Sequence, residues 1–204
     1  MNQLLSRLSP SITKMIRMDH THVLSAFHQY EVETSPRVKK GLVDNICVAL
    51  EIHAQLEEEI FYPAMRAIAE TEVVAKSVPE HDQMRRLITQ LRNLEPEHAS
   101  YDETFFELMN NVMHHVADEE TLLLPTAERV LADRLGELGA EMTKRRLQLA
   151  APRTGEIAGS LARSMSPRSL VVGAGALLAC SYLLSRPRGQ RRGTAQGPTG
   201  TASR

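Results

Sequence analysis

Apolar side chains recur at steps of three and four through most of the chain as far as Val130, the signature of helices that each bury one face. Ile12, Ile16, Leu24 and Phe27 predict a first helix from about Ile12 to Glu31, with His20 inside its stripe. Ser35-Pro36 reads as a cap followed by proline in the first turn, opening a second helix that runs to about Ala69. Its stripe is Leu42, Ile46, Ala49, His53, Glu57, Ile60 and Ala64. A third, shorter helix is predicted from Pro79 to Asn93 through His81, Met84, Ile88 and Leu91. The fourth starts near Tyr101 and carries Phe105, Leu108, Val112, His115, Glu119 and Leu122. Pro63 and Pro125 fall near the far ends of the second and fourth helices, so kinks or short breaks are expected there. Short connections make neighbours antiparallel. The expected fold class is therefore all-α: an antiparallel up-down-up-down four-helix bundle over about residues 12 to 132, with an additional helix, about Asp133 to Leu149, packed outside it.

Composition supports helix over sheet, because Leu, Ala, Glu, Arg and Met dominate while aromatics are few and tryptophan is absent. A formal net charge of −1 over 204 residues gives no electrostatic case for nucleic acid as a partner. Charge is unevenly placed, however. The chain is acid-rich before residue 130 and basic from Lys144 onward, where Glu156 is the one acid, so residues 1–150 are expected to form the domain and 151–168 a linker. Residues 169–185 form a run without charge, flanked by arginines. As a helix it would reach about 25 Å, at the lower edge of what crosses a bilayer, and it is a candidate membrane anchor. The alternative is a helix folded back on the bundle, and residues 186–204 are expected to form a basic, disordered tail. Cys47 and Cys180 lie far apart in different contexts, and the N-terminus shows no secretory signal. A cytoplasmic domain, with the inner membrane as the place of any anchorage, is the expected location.

The polar residues inside the apolar stripes carry the chemistry. The phrase from His53 to Pro63 recurs from His115 to Pro125, each copy with a carboxylate four positions after the histidine and a proline six after the carboxylate. The interval from His20 to His53 equals that from His81 to His115 to within one position, so the two halves match throughout. A single His-x-x-x-Glu pair is most often a surface ion pair. Here Glu57 and Glu119 lie in oily stripes, where an uncompensated carboxylate is expensive to bury. His20, His53, Glu57, His81, His115 and Glu119 are therefore expected to hold a pair of metal ions, and mixed imidazole and carboxylate ligation suits iron or manganese. His22, His28, His114, Glu58 and Glu120 are candidates for supporting the ligands from behind, with Glu58 and Glu120 repeating between the halves. Tyr30, Tyr62 and Tyr101 are candidate donors to a bound oxygen species, although packing with the hydroxyl at the rim is the plainer expectation. No catalytic residue is assigned.

The order His, His-x-x-x-Glu, His, His-x-x-x-Glu, with Asp-His in the first helix and Glu-Glu before each proline, resembles the hemerythrin-like (HHE cation-binding) family over about residues 12 to 130. The resemblance implies two iron ions (Fe2+/Fe3+), oxo- or hydroxo-bridged, inside the bundle. It also implies a small diatomic or peroxide ligand: dioxygen, peroxide or nitric oxide. One departure matters: the oxygen carriers have a further histidine four positions after the one in the third helix, and here that position is Arg85. Reversible oxygen carriage loses weight to sensing, oxidative-stress defence or iron handling, and His28 is the best substitute for the missing ligand. A peroxide-consuming di-iron enzyme and a metal-stapled structural module attached to a membrane are the alternatives.

Overall fold

The computed structural model describes residues 9–68 and 72–164. The expectations for residues 169–185 and 186–204 lie outside them. Among the described residues no helix is long and apolar enough to cross a membrane.

Helix α1 (Ile12–Phe27) begins at Ser11, whose Oγ accepts the Lys14 amide at 3.4 Å. It ends one turn earlier than the pattern predicts. Gln29 and Tyr30 amides turn back to carbonyls three residues behind, and the Tyr30 ring lies 4.1 Å from that of Phe105. Helix α2 (Pro36–Leu56) runs into a π-turn, Glu57–Phe61, and then α3 (Tyr62–Arg66). Helix α4 spans Glu72–Asn93. Helix α5 (Tyr101–Asp118) repeats the second segment's design, entering a π-turn, Glu119–Leu123, before α6 (Leu124–Val130). These four segments form the bundle. Helix α7 (Leu135–Ala150) packs on α1 and α2, and α8 (Thr154–Ser164) lies along α2.

The π-turns resolve what the prolines do. Pro63 has no N–H, and its ring would strike the carbonyl four residues back; widening that turn by one residue keeps the helix going. In each segment the amide five residues on, Tyr62 or Leu124, reaches the carbonyl of Glu57 or Glu119. The extra residue shifts the buried face by one position. Leu122, expected in the fourth stripe, is 54 % exposed, while Leu123 and Leu124 are buried.

Two further expectations change. Helix α4 begins at Glu72, well before Pro79, which sits inside it. Burial of Val73 and Val74 against the core holds the extra turns together, with Ser77 Oγ donating to the Val73 carbonyl at 2.7 Å, and outweighs the bond that Pro79 cannot make. Residues 151–164, expected as linker, carry a 3-10 turn at Ala151–Arg153 and then α8. The small residues read as linker composition let α8 lie close: Ser160 is fully buried, and a Cβ on Gly41 of α2 would stand 2.4 Å from the Ser164 amide nitrogen. Arg153 to Glu51 at 2.6 Å and Arg163 to Asp44 at 2.9 Å tie this end of the chain to α2.

Helix propensity alone would make Gly41→Ala stabilising by about 1 kcal/mol. The clash reverses the sign, and we expect a loss of about 1–3 kcal/mol in thermal melts. Gly136→Ala, where a Cβ meets nothing within 4 Å, should not destabilise, and equal behaviour of the two variants would contradict the close packing of α8.

The core divides into two apolar clusters. One gathers Ile16, Leu56, Phe61, Val74 and Leu123; the other gathers Val23, Leu50, Met84, Val112 and Val116. The polar stripe residues occupy the band between them.

Candidate metal centre

Each bundle segment delivers its ligands where its stripe passes from one apolar cluster to the other. His20 follows Ile16 and precedes Val23; His53 and Glu57 flank Leu56; His81 lies between Val74 and Met84; His115 and Glu119 bracket Val116. All six are buried, with Glu57, His81 and Glu119 fully so. The structure thus brings together all six residues singled out from the sequence.

Their inward atoms converge. His53 Nε2 is 3.2 Å and His81 Nε2 3.5 Å from Glu57 Oε2, with His115 Nε2 at 3.9 Å. His20 Nε2 is 3.2 Å and His115 Nε2 3.7 Å from Glu119 Oε2. His20, His53, Glu57 and Glu119 form one group able to surround a cation, and Glu57, His81 and His115 form a second. Glu57 belongs to both.

Every imidazole is anchored from behind at Nδ1. His20 meets Glu120 at 2.8 Å, His81 meets Glu58 at 2.8 Å, His53 meets Asp19 at 3.3 Å and His115 meets Glu80 at 2.9 Å. A carboxylate at Nδ1 keeps the proton there and leaves the Nε2 lone pair facing inward. The pattern is two-fold. The residue after each ligand glutamate supports the histidine of another segment, and the residue before His20 or His81 supports the histidine of the His-x-x-x-Glu phrase. Guanidinium groups hold three of these carboxylates: Arg17 reaches Glu120 at 3.1 Å, Arg85 reaches Glu58 at 2.7 Å, and Arg146 grips Asp19 through both terminal nitrogens at 2.6 and 2.5 Å.

Glu58 and Glu120 thus stand behind His81 and His20. His22, His28 and His114 do not: all three are exposed. His28 caps the end of α1 and is no substitute ligand. Arg85, at the position of the missing histidine, braces Glu58 instead. Asp19 and Glu80 go unrecognised from the sequence, although the acid-histidine steps Asp19-His20 and Glu80-His81 are a signal.

Tyr62, a candidate donor whose hydroxyl is expected at the rim, instead reaches the centre. At 100° per residue it would sit about 140° around the helix from Glu57. The π-turn makes five residues roughly one turn and brings it over the same face. Its hydroxyl lies 2.8 Å from Glu119 Oε1 and 3.1 Å from Glu57 Oε2, and donates its one proton to either carboxylate. The matching residue in the second copy is Leu124, so the two-fold is broken here. Tyr30 instead donates to Asp102, and Tyr101 is buried within the second cluster.

Electrostatics follow from this arrangement. Burial would raise the Glu57 pKa, but His53, His115 and His81 around it hold it well below the ordinary range. Burial would lower His115, yet the Glu57, Glu80 and Glu119 carboxylates raise it to about 10, and His20 and His81 move in the same direction for the same reason. Burial beside the two glutamates lifts Tyr62 well above its usual value, so it keeps its proton. Asp19, despite burial, falls to about 2 against His53 and Arg146.

The donor set fits a metal pair on a direct observation. His20 Nε2, His53 Nε2, Glu57 Oε1 and Glu119 Oε2 are buried without a hydrogen-bond partner among the described residues. Orphaned polar atoms are costly, and four aimed into one space call for a cation.

A profile of the hemerythrin HHE cation binding domain matches residues 11–127, more than half of the 204-residue chain. The chain belongs to the hemerythrin HHE cation-binding family. As a hemerythrin-like protein it binds metal cations, and iron is the family's usual one. A crystal structure of a hemerythrin HHE cation binding domain-containing protein from Mycobacterium kansasii shares the fold, with a TM-score of 0.62 at 21 % identity over 76 % of this chain and 99 % of that one. A DNA nickase of Nostoc sp. (strain PCC 7120) is 29 % identical over 113 residues, 55 % of this chain, which spans about a third of that relative's length (32 %).

Replacing Asp19 by asparagine keeps its shape and removes the charge behind His53. Metal affinity is expected to fall about 10- to 100-fold, read by competition with a chromophoric chelator. Undiminished affinity would show that the outer carboxylates do not tune the centre.

Proposed function

We propose that the chain is a non-haem di-iron protein that binds or reacts with a small ligand of the dioxygen, nitric oxide or peroxide class, serving sensing, oxidative-stress defence or iron handling. The observation that carries this is the set of four Nε2 atoms facing two buried carboxylates, with each opposite Nδ1 tied to an outer acid. His20, His53, Glu57 and Glu119 would hold one iron and Glu57, His81 and His115 the other. Bound iron would supply open coordination positions and electrons. The residues themselves exclude bulk water, fix the imidazole rings, and keep a proton on Tyr62 beside Glu119.

The test is metal analysis with an absorption spectrum on protein isolated from iron-replete cells. The reading expects about two irons per chain and near-ultraviolet charge-transfer bands that change stoichiometrically with nitric oxide or dioxygen. Protein that carries zinc, or no metal, would sink it.

A peroxide-consuming enzyme is the second reading, favoured by Tyr62, whose buried hydroxyl offers a proton inside the centre. Steady oxygen evolution from peroxide, reduced in Tyr62→Phe at unchanged iron content, would select it. Stoichiometric binding without turnover would select the sensor.

A further inference from the structure

The centre has one apolar flank. A cavity of about 10 Å³, near what one water-sized molecule needs, is lined by His20, His53 and His115 and by aliphatic side chains of the second core cluster such as Leu50, Met84 and Val112. Outside it a cleft of about 220 Å³ opens among α1, α2, α7 and α8, walled mainly by Val48, Ala49, Ile52 and Ile157, with Asn45, Arg146 and exposed His22 also on its lining. Three residues line both spaces: Asp19, Val23 and His53. The partition between them is therefore a single layer of side chains.

Two members of that layer are fixed. Arg146 holds Asp19 with two hydrogen bonds, and Asp19 holds His53. Val23 has an aliphatic side chain with no group to tie, and it belongs to the second core cluster with Leu50 and Met84. It is the part of the partition that no hydrogen bond holds, and with one χ1 rotamer strongly preferred in a helix it yields by small displacements rather than by rotation.

We propose that this cleft is the approach by which a neutral diatomic gas reaches the centre, with Val23 as the gate. The proposal rests on the reading of the centre as a small-ligand site and narrows the class of ligand. Dioxygen and nitric oxide are weakly hydrated and pass aliphatic walls at little cost. Peroxide would give up hydrogen bonds to water on the same path, and an anion would give up far more. The outer wall comes from α7 and α8, beyond the segment that the family profile matches.

Stopped-flow mixing of the iron-loaded protein with nitric oxide tests the path. In Val23→Phe the association and dissociation rates should both fall by about tenfold while their ratio and the iron content stay unchanged, and Val23→Ala should raise both. Ala49→Phe, at a partly exposed position lining only the cleft, should slow association likewise and carries the test alone if the core variant does not fold. A second readout needs no iron. Crystals of the metal-free protein under xenon should show an atom in the cleft, lost in Ala49→Phe. Unchanged rates in both phenylalanine variants with full iron would overturn the path and leave the centre's function standing. A wild-type chain that takes xenon in the cleft yet binds neither iron nor nitric oxide would overturn the reading of the centre and the proposal with it.

Discussion

Alanine at Glu57 is expected to leave the chain without bound iron, whereas alanine at Glu119 should leave about one ion per chain. The difference comes from how the carboxylates are shared. Glu57 Oε2 lies within 3.2 to 3.9 Å of three imidazole nitrogens and belongs to both cation groups, while Glu119 belongs to one. Removing Glu57 also takes a negative charge from among His53, His81 and His115, and protons or cations facing one another there repel. Elemental analysis of the as-isolated variants, with circular dichroism to confirm the helices, reads the outcome. The double variant should contain no iron and show no near-ultraviolet band. Two irons retained in Glu57→Ala would mean that the metal is held elsewhere.

Stripping the metal should lower the melting temperature by about 8 to 16 °C, taking free metal at roughly 1,000 times Kd, about 4 kcal/mol of linkage and the slope usual for a chain of this size. The size of the drop should depend on pH. In the metal-free chain His115 titrates at about 10 against about 6.5 unfolded, so its charged ring stabilises the fold fully below pH 6.5 and that contribution disappears as pH rises through 10. Bound metal takes the same nitrogen and displaces the proton, so the loaded chain does not follow that decline. The gap between loaded and stripped protein should therefore widen from pH 6.5 to 10. At the acid end the sign reverses for Glu57: its lowered pKa stabilises the metal-free fold above the ordinary glutamate range and is lost as pH falls. Differential scanning calorimetry across this range checks both limbs, and a gap that narrows with rising pH would refute the assignment of His115.

The bundle and its ligands are legible in the sequence because regular helices turn spacing into direction: His53 and Glu57, or His115 and Glu119, share a face at any position along an α-helix. Legibility ends where the helix stops being regular. An unbroken α-helical period carried through Pro125 and Pro63 puts Leu122 in the core and Tyr62 at the rim, whereas the backbone takes a wider turn at both places. Asp19 and Glu80 escape for another reason. They point off their own stripes, and their partners, His53 and His115, lie on other segments, so only the assembled bundle shows the pairing. Helix α8 is hidden by composition, since Gly155, Gly159 and Ser160 suit a flexible connector as well as a helix that must lie close to a neighbour.

Arg146 sits well beyond residue 127, where the stretch that defines the family ends, on a helix lacking any metal-facing side chain. An excised domain stopping at residue 127 would keep all six donors and still lose the clamp on Asp19 that steadies His53. The smallest portable unit of this protein, for grafting or for shortening in the laboratory, therefore extends at least to Ala150.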